Sequence, residues 1–136
     1  MSSKTLIGWR EWIELPEWGV RLKAKIDTGA KSSSLDVENI TLLPEGRISF
    51  HIHKKRKTDN VIPVETDVIR TINVRSSNGK TQTRYVVRTT MQLCGVEKPI
   101  LITLASRRRM IHRMLLGREA LSDDFLIDAS ADHLVS

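Results

Sequence analysis

The sequence predicts one mostly-β domain over residues 1–136, a small barrel or orthogonal sandwich with a single short helix near its C-terminal end. Three observations point there. Apolar residues recur at every second position through most of the chain, turn signals such as Asn-Gly punctuate those runs, and only one short segment reads as helical. Folding at this length removes roughly two-thirds of the extended chain's surface from water, enough for a core without disulfides or a structural metal.

The elements follow in order. Residues 1–18 mix Lys4, Arg10, Glu11, Glu14 and Glu17 into their apolar positions, so the uninterrupted apolar stretch of a secretory signal is not expected. From Val20 onward, Val20, Leu22, Ala24 and Ile26 alternate with Arg21, Lys23 and Lys25, and this strand ends at Asp27-Thr28-Gly29. Ile48, Phe50 and Ile52 then alternate with Ser49, His51 and His53, and the polar residues 54–60 read as an exposed turn. Residues 69–75 and 81–88 flank Ser76-Ser77-Asn78-Gly79, where Asn and Gly both tolerate positive φ, so a long basic hairpin is expected. Residues 91–95 and 99–104 suggest a further strand pair joined by a turn over 95–98. The helix opens at Gly117 and covers 118–121, and residues 125–128 return to strand.

Charge narrows the functional classes. Twenty-two Lys plus Arg oppose 16 Asp plus Glu, a net charge of +6 that implies an acidic partner: nucleic acid, an acidic peptide or an anionic surface. Aromatic residues make up only 4% of the chain, with Trp9, Trp12 and Trp18 clustered at the start, which argues against bases stacking over a sheet face. The tryptophans read as core or dimer contacts. Cys94 is the sole cysteine, so an intramolecular disulfide is impossible and a cytoplasmic setting is expected, although periplasmic proteins are also cysteine-poor; Cys94 itself reads as a small buried hydrophobe. No apolar run reaches the length that spans a membrane.

Two anchors carry the chemistry. Lys-Ala-Lys-Ile-Asp-Thr-Gly-Ala-Lys-Ser-Ser-Ser-Leu occupies 23–35, and Arg-Met-Leu-Leu-Gly-Arg-Glu-Ala-Leu occupies 113–121, with the Asn-Gly hairpin between them. This order resembles the retropepsins, single-domain aspartic proteases of retroviral type, over about 20–121. Within them it resembles a bacterial group labelled "ATP-dependent zinc protease" and associated with ligases that add glutamates to ribosomal protein. The resemblance implies an acid-protease barrel, Asp27, Thr28 and Gly29 as the catalytic turn, and a flap tipped by Ser76, Ser77, Asn78 and Gly79. It also implies that Leu115, Leu116, Gly117 and Arg118 pack beneath the active-site loop, that Thr28 reaches across a dimer axis, and that Ser33 and Leu35 support the floor. No complete phosphate loop ending in Gly-Lys-Ser or Gly-Lys-Thr and no His-Glu-x-x-His is present, so neither ATP nor zinc is expected, and no cofactor. His51 and His53 share a strand face, and His112 and His133 stand elsewhere; a strand-face pair beside a Lys-rich turn reads as solvated rather than as a metal site.

One carboxylate per chain cannot act as base toward water and acid toward the leaving amine in one protonation state, whereas two facing aspartates sharing a proton can. A homodimer is therefore expected. Retroviral proteases follow the catalytic turn with two aspartates, the first pairing with the Arg of the second anchor; here Lys31 and Ser32 stand in those places. Arg118 is left with Glu119, Asp123, Asp124 or another chain as its partner. Ala30, Lys31, Ser32, Arg107, Arg108, Arg109 and Arg113 are the expected substrate contacts, joined by Arg75, Lys80, Arg84 and Arg88 on the hairpin, and the expected ligand is an acidic or glutamate-rich peptide or protein. The competing reading is a non-enzymatic basic β-barrel that binds RNA, the ribosome or an acidic protein through 54–57 and 107–113, and an inactive retropepsin fold kept for recognition is a third.

Overall fold

The computed structural model describes residues 4–53, 61–75, 78–106 and 112–132. Its strands are β1 (Thr5–Gly8), β2 (Arg10–Leu15), β3 (Val20–Ile26), β4 (Ser33–Asp36), β5 (Glu38–Leu43), β6 (Arg47–His53), β7 (Val61–Arg75), β8 (Thr81–Leu93), β9 (Val96–Ala105), β10 (Met114–Leu116) and β11 (Phe125–Asp128). One α-helix, α1 (Arg118–Leu121), and two 3-10 turns complete the described residues. Six strands close a barrel in the order β2-β3-β10-β4-β9-β8, with Glu14 of β2 meeting Gln92 of β8 to shut it. The sheet continues outward from β8 through β7, β6 and β5. The acid-protease barrel with one short helix is thus present, and among the described residues no helix is long and apolar enough to cross a membrane.

Alternation builds the core. Val20, Leu22, Ala24 and Ile26 point inward from β3 while Arg21 and Lys25 are exposed, as a half-buried strand requires. They meet Ile13 and Leu15 from β2, Met91 and Leu93 from β8, Ile102 and Leu104 from β9, and Met114 and Leu116 from β10. Ile48, Phe50 and Ile52 of β6 extend the same core under the outer sheet, where the Trp18 ring stands edge-on to Phe50 with centroids 5.5 Å apart.

Several details depart from expectation. The long hairpin exists, but its strands run from Val61 and to Leu93, with a register shift between Val68 and Arg70; beyond Thr71 its outer arms are mostly exposed. The next turn falls at Cys94 and Gly95 rather than at 95–98, because φ is 48° and 75° at these two residues and Leu93 pairs directly with Val96, a two-residue hairpin that needs two left-handed positions. Cys94 is therefore exposed on a turn, not buried. Residues 5–15, which carried no strand signal, form β1 and β2, with β1 paired in parallel to β11. Of the three tryptophans only Trp18 packs against the core; Trp9 and Trp12 lie partly exposed beside cations, Arg10 over Trp9 and both Arg21 and Lys23 over Trp12.

Candidate active site

The site forms where β3 and β10 end side by side. The two strands are parallel, with Leu116 level with Ile26, so both chains leave the barrel at one edge and the loop of residues 27–32 meets the start of α1 there. β10 also pairs with β4, antiparallel, and so sits between the strand that enters the loop and the strand that leaves it. A three-residue strand holds both ends of a six-residue loop.

Hydrogen bonds then fix that loop. The Asp27 N–H donates to Leu116 O (2.9 Å), and the Ala30 N–H closes back on Asp27 O (3.2 Å). The first N–H groups of a helix have no partner inside it, and here Arg118 N–H donates to Ala30 O (2.8 Å) and Glu119 N–H to Lys31 O (3.0 Å). Gly117 N–H donates to the buried Ser33 Oγ at 3.0 Å. The Asp27 carboxylate, half-buried, accepts the Gly29 N–H at Oδ1 (3.1 Å), while Thr28 and Gly29 are exposed. The turn over residues 27–29 is thus held by backbone hydrogen bonds with Thr28 and Gly29 exposed.

Arg118 finds a different partner from the carboxylates expected. Its guanidinium donates to Thr28 O at 2.9 Å, spanning the turn from below. The acidic candidates are placed otherwise: Asp124 holds Lys98 at 2.6 Å, and Glu119 faces Lys31 at 3.9 Å. That last pair is solvent-exposed and contributes little stability, but it draws Lys31 toward α1. Of residues 115–118, Leu116 and Arg118 hold the loop by hydrogen bonds and Gly117 packs against the Ala30 and Ser32 backbone, with Leu116 and Gly117 buried and Leu115 half-buried. Replacing Ser33 with Ala leaves the buried Gly117 N–H without an acceptor and is expected to cost about 1–3 kcal/mol in a urea melt. A variant as stable as the parent would show that Ser33 does not brace this junction.

Other expected contacts separate. Arg113 donates to the carbonyl of His53, so part of its guanidinium is committed to the fold rather than to a substrate. Arg88 lines a hollow of about 240 Å³ together with Glu17, Thr66, Asp67 and Thr89, away from the 27–32 loop. His51 and His53 are not freely solvated: Nδ1 of His51 lies 3.1 Å from the Asn39 amide, and Nε2 of His53 lies 2.7 Å from Glu38, tying β6 to β5. No three His, Cys, Asp or Glu side chains gather as metal ligands among the described residues. At the hairpin tip, Asn78 Oδ1 accepts the Lys80 N–H and Gly79 has φ 84°, as the Asn-Gly signal requires. Ser76, Ser77, Arg107, Arg108, Arg109, His133 and the 54–60 turn lie outside the described residues.

One contributor carries no signal in the sequence. The backbone carbonyl of Trp9 accepts the Ile26 N–H and so helps hold the end of β3, a role no side chain announces.

Comparison with known proteins places these features in context. A family model described as "Retropepsin-like aspartic endopeptidase RimB" matches residues 6–135. Proteins named "Probable alpha-L-glutamate ligase" are 39% identical over 134 residues in Shewanella pealeana and 40% identical over 138 residues in Parasynechococcus marenigrum, covering 95% and 98% of this chain. The chain spans only 29% and 30% of the length of those two relatives. The crystal structure of Lpg0085 from Legionella pneumophila, a protein described as of unknown function, superposes with a TM-score of 0.83 at 26% identity, covering 98% of this chain and all of that one.

Proposed function

The chain belongs to the retropepsin-like aspartic endopeptidase family, and on that premise we propose that it hydrolyses peptide bonds as a homodimer, with Asp27 of each subunit as its catalytic carboxylate. The observation that carries this reading is the footing of the 27–32 loop, in which Leu116 O, the first turn of α1 and the Arg118 guanidinium all hold backbone and leave the Asp27 side chain outward. A loop that merely ended a strand would need no such bracing.

The mechanism follows from two such loops facing each other. One ionised Asp27 takes a proton from water as it attacks the scissile carbonyl, and the protonated partner donates to the carbonyl oxygen. As the C–N bond breaks, the proton taken from water passes to the leaving amine and a hydroxyl of the tetrahedral intermediate returns its proton to the second Asp27, so the dyad again holds one shared proton. Gly29 N–H, bonded to Asp27 Oδ1, orients the carboxylate. The exposed Thr28 is free to meet the second subunit's loop.

An acidic or glutamate-rich peptide is the proposed substrate. The net charge of +6 favours it, and so does the presence of a matching segment within chains named as glutamate ligases. The single cysteine goes with a cytoplasmic setting. The reading is tested by light scattering together with cleavage of glutamate-rich peptides at several pH values. A folded dimer that cleaves them is expected. A strict monomer, or a dimer inert at every pH, overturns it.

A further inference from the structure

On the outer face of β3, Arg21, Lys23 and Lys25 stand in single file, Arg21 and Lys25 exposed and Lys23 half-exposed. Two residues further along the same alternation stands Asp27. Among the described residues none of these three cations lies within salt-bridge distance of a carboxylate, although Glu14 is opposite Arg21 in register; the nearby Asp132 is taken by Arg10. Trp12, opposite Lys23, lies under the Arg21 guanidinium (4.8 Å) and the Lys23 ammonium (5.2 Å), so its ring orders two members of the file. Two of the charges, Lys23 and Lys25, also reach one neighbour in common. His112, packed edge-on to Trp9, is held below the usual histidine pKa first by burial and then by the positive charges of Arg10, Lys25 and Lys23, with Asp132 opposing them.

We propose that Arg21, Lys23 and Lys25 form a binding track for an extended acidic polypeptide, which lies across the outer face of β3 and is led by it toward Asp27. Spacing supports this. Same-face residues on a strand repeat at about 6.6–6.8 Å, and an extended peptide presents its alternate side chains at the same interval, so successive carboxylates meet successive cations in register. β2 pairs along β3 from Val20 to Lys25 and β10 covers the other edge at 24–26, so next to Lys25, where the track nears Asp27, the peptide is held by side chains rather than as an added strand. Nucleic acid fits less well. Glu14 stands opposite Arg21, Arg10 opposite Lys25 is taken by Asp132, and the Trp12 ring opposite Lys23 is already engaged by cations instead of being open to a base. The delivery toward Asp27 rests on the peptidase reading; the binding itself does not.

The test separates the two. The full chain carrying Asp27→Asn is titrated with a fluorescein-labelled oligoglutamate peptide by anisotropy, with and without Lys23→Gln and Lys25→Gln together. The pair is expected to weaken binding about tenfold or more, and the same loss of charge at Arg47→Gln with Arg70→Gln is expected to change it less than about twofold. With Asp27 intact, Lys23→Gln/Lys25→Gln is expected to raise KM for the peptide and leave kcat nearly unchanged. Equal effects of the two pairs, or no effect of the first, overturn the track even where the wild type cleaves. Tighter binding of a single-stranded oligonucleotide that the first pair abolishes overturns it in favour of nucleic acid. The expected binding pattern in a protein that cleaves nothing upholds the track and sinks the peptidase reading.

Discussion

Asp27→Asn is expected to lower peptide cleavage about a thousandfold or more, within the range that general acid–base catalysis contributes, while leaving the fold and dimer mass unchanged. Asn has the same shape as Asp, and its amide oxygen can still accept the Gly29 N–H that Asp27 Oδ1 accepts now. The strand, the turn and the Leu116 O contact involve backbone only. What disappears is the proton that the dyad exchanges. Mixing provides a sharper readout than the pure variant. If both carboxylates are needed, equal amounts of wild type and Asp27→Asn, allowed to exchange subunits, retain about a quarter of the starting activity per total protein, because only wild-type pairs work. Independent active sites would retain about half. Activity in pure Asp27→Asn close to that of the wild type would remove Asp27 from the chemistry.

Gly117→Ala is expected to be strongly damaging to the candidate site. The backbone of Gly117 is extended, with φ −91° and ψ 179°, so an alanine there suffers no intrinsic conformational strain. The obstacle is space alone. A Cβ would stand 2.5 Å from Ser32 O, 2.6 Å from Ser32 C and 2.9 Å from Ala30 O, all backbone atoms that cannot rotate away. Ala30 O is also the acceptor for Arg118 N–H, and Gly117 N–H itself donates to Ser33 Oγ. Relieving the clash therefore separates α1 from the loop and breaks several bonds together. A loss of about 3 kcal/mol or more is expected, at the upper end of overpacking costs, read as a fall in thermal midpoint of about 10 °C or more and as lost cleavage even where the chain still folds. A midpoint within a few degrees of the parent would show that the loop and helix are not packed as closely as described.

How much of this was legible depends on how local the signal was. The strand into Asp27 was readable because Val20 to Ile26 alternate without interruption and end at a turn tripeptide, and the helix was readable because Gly117 interrupts a short apolar run. The hairpin tip was readable because Asn78 and Gly79 both suit a tight turn. β2 was not, because its inward positions are Glu11, Ile13 and Leu15. A fully buried Glu11, accepting the Gly8 N–H at 2.8 Å, spoils the apolar period that marks a strand. β10 was not, because three residues are too few to show any period, and its pairing with both β3 and β4 is set by tertiary contact. Arg118 illustrates the limit within the site. Residue type announces a donor but not its acceptor, and the search among Glu119, Asp123 and Asp124 passed over Thr28 because a main-chain oxygen has no letter of its own.

That choice of acceptor has a consequence for working in acid. A guanidinium stays charged at every pH a protein survives, but a carboxylate partner would be protonated as the medium approaches the conditions in which one member of an aspartate pair holds a proton. An arginine anchored on a carboxylate would then loosen its grip as the proposed dyad gained its proton. Anchored on the Thr28 carbonyl, which does not titrate in that range, Arg118 keeps its hold on the turn through acidification, and the brace is independent of the protonation of Asp27.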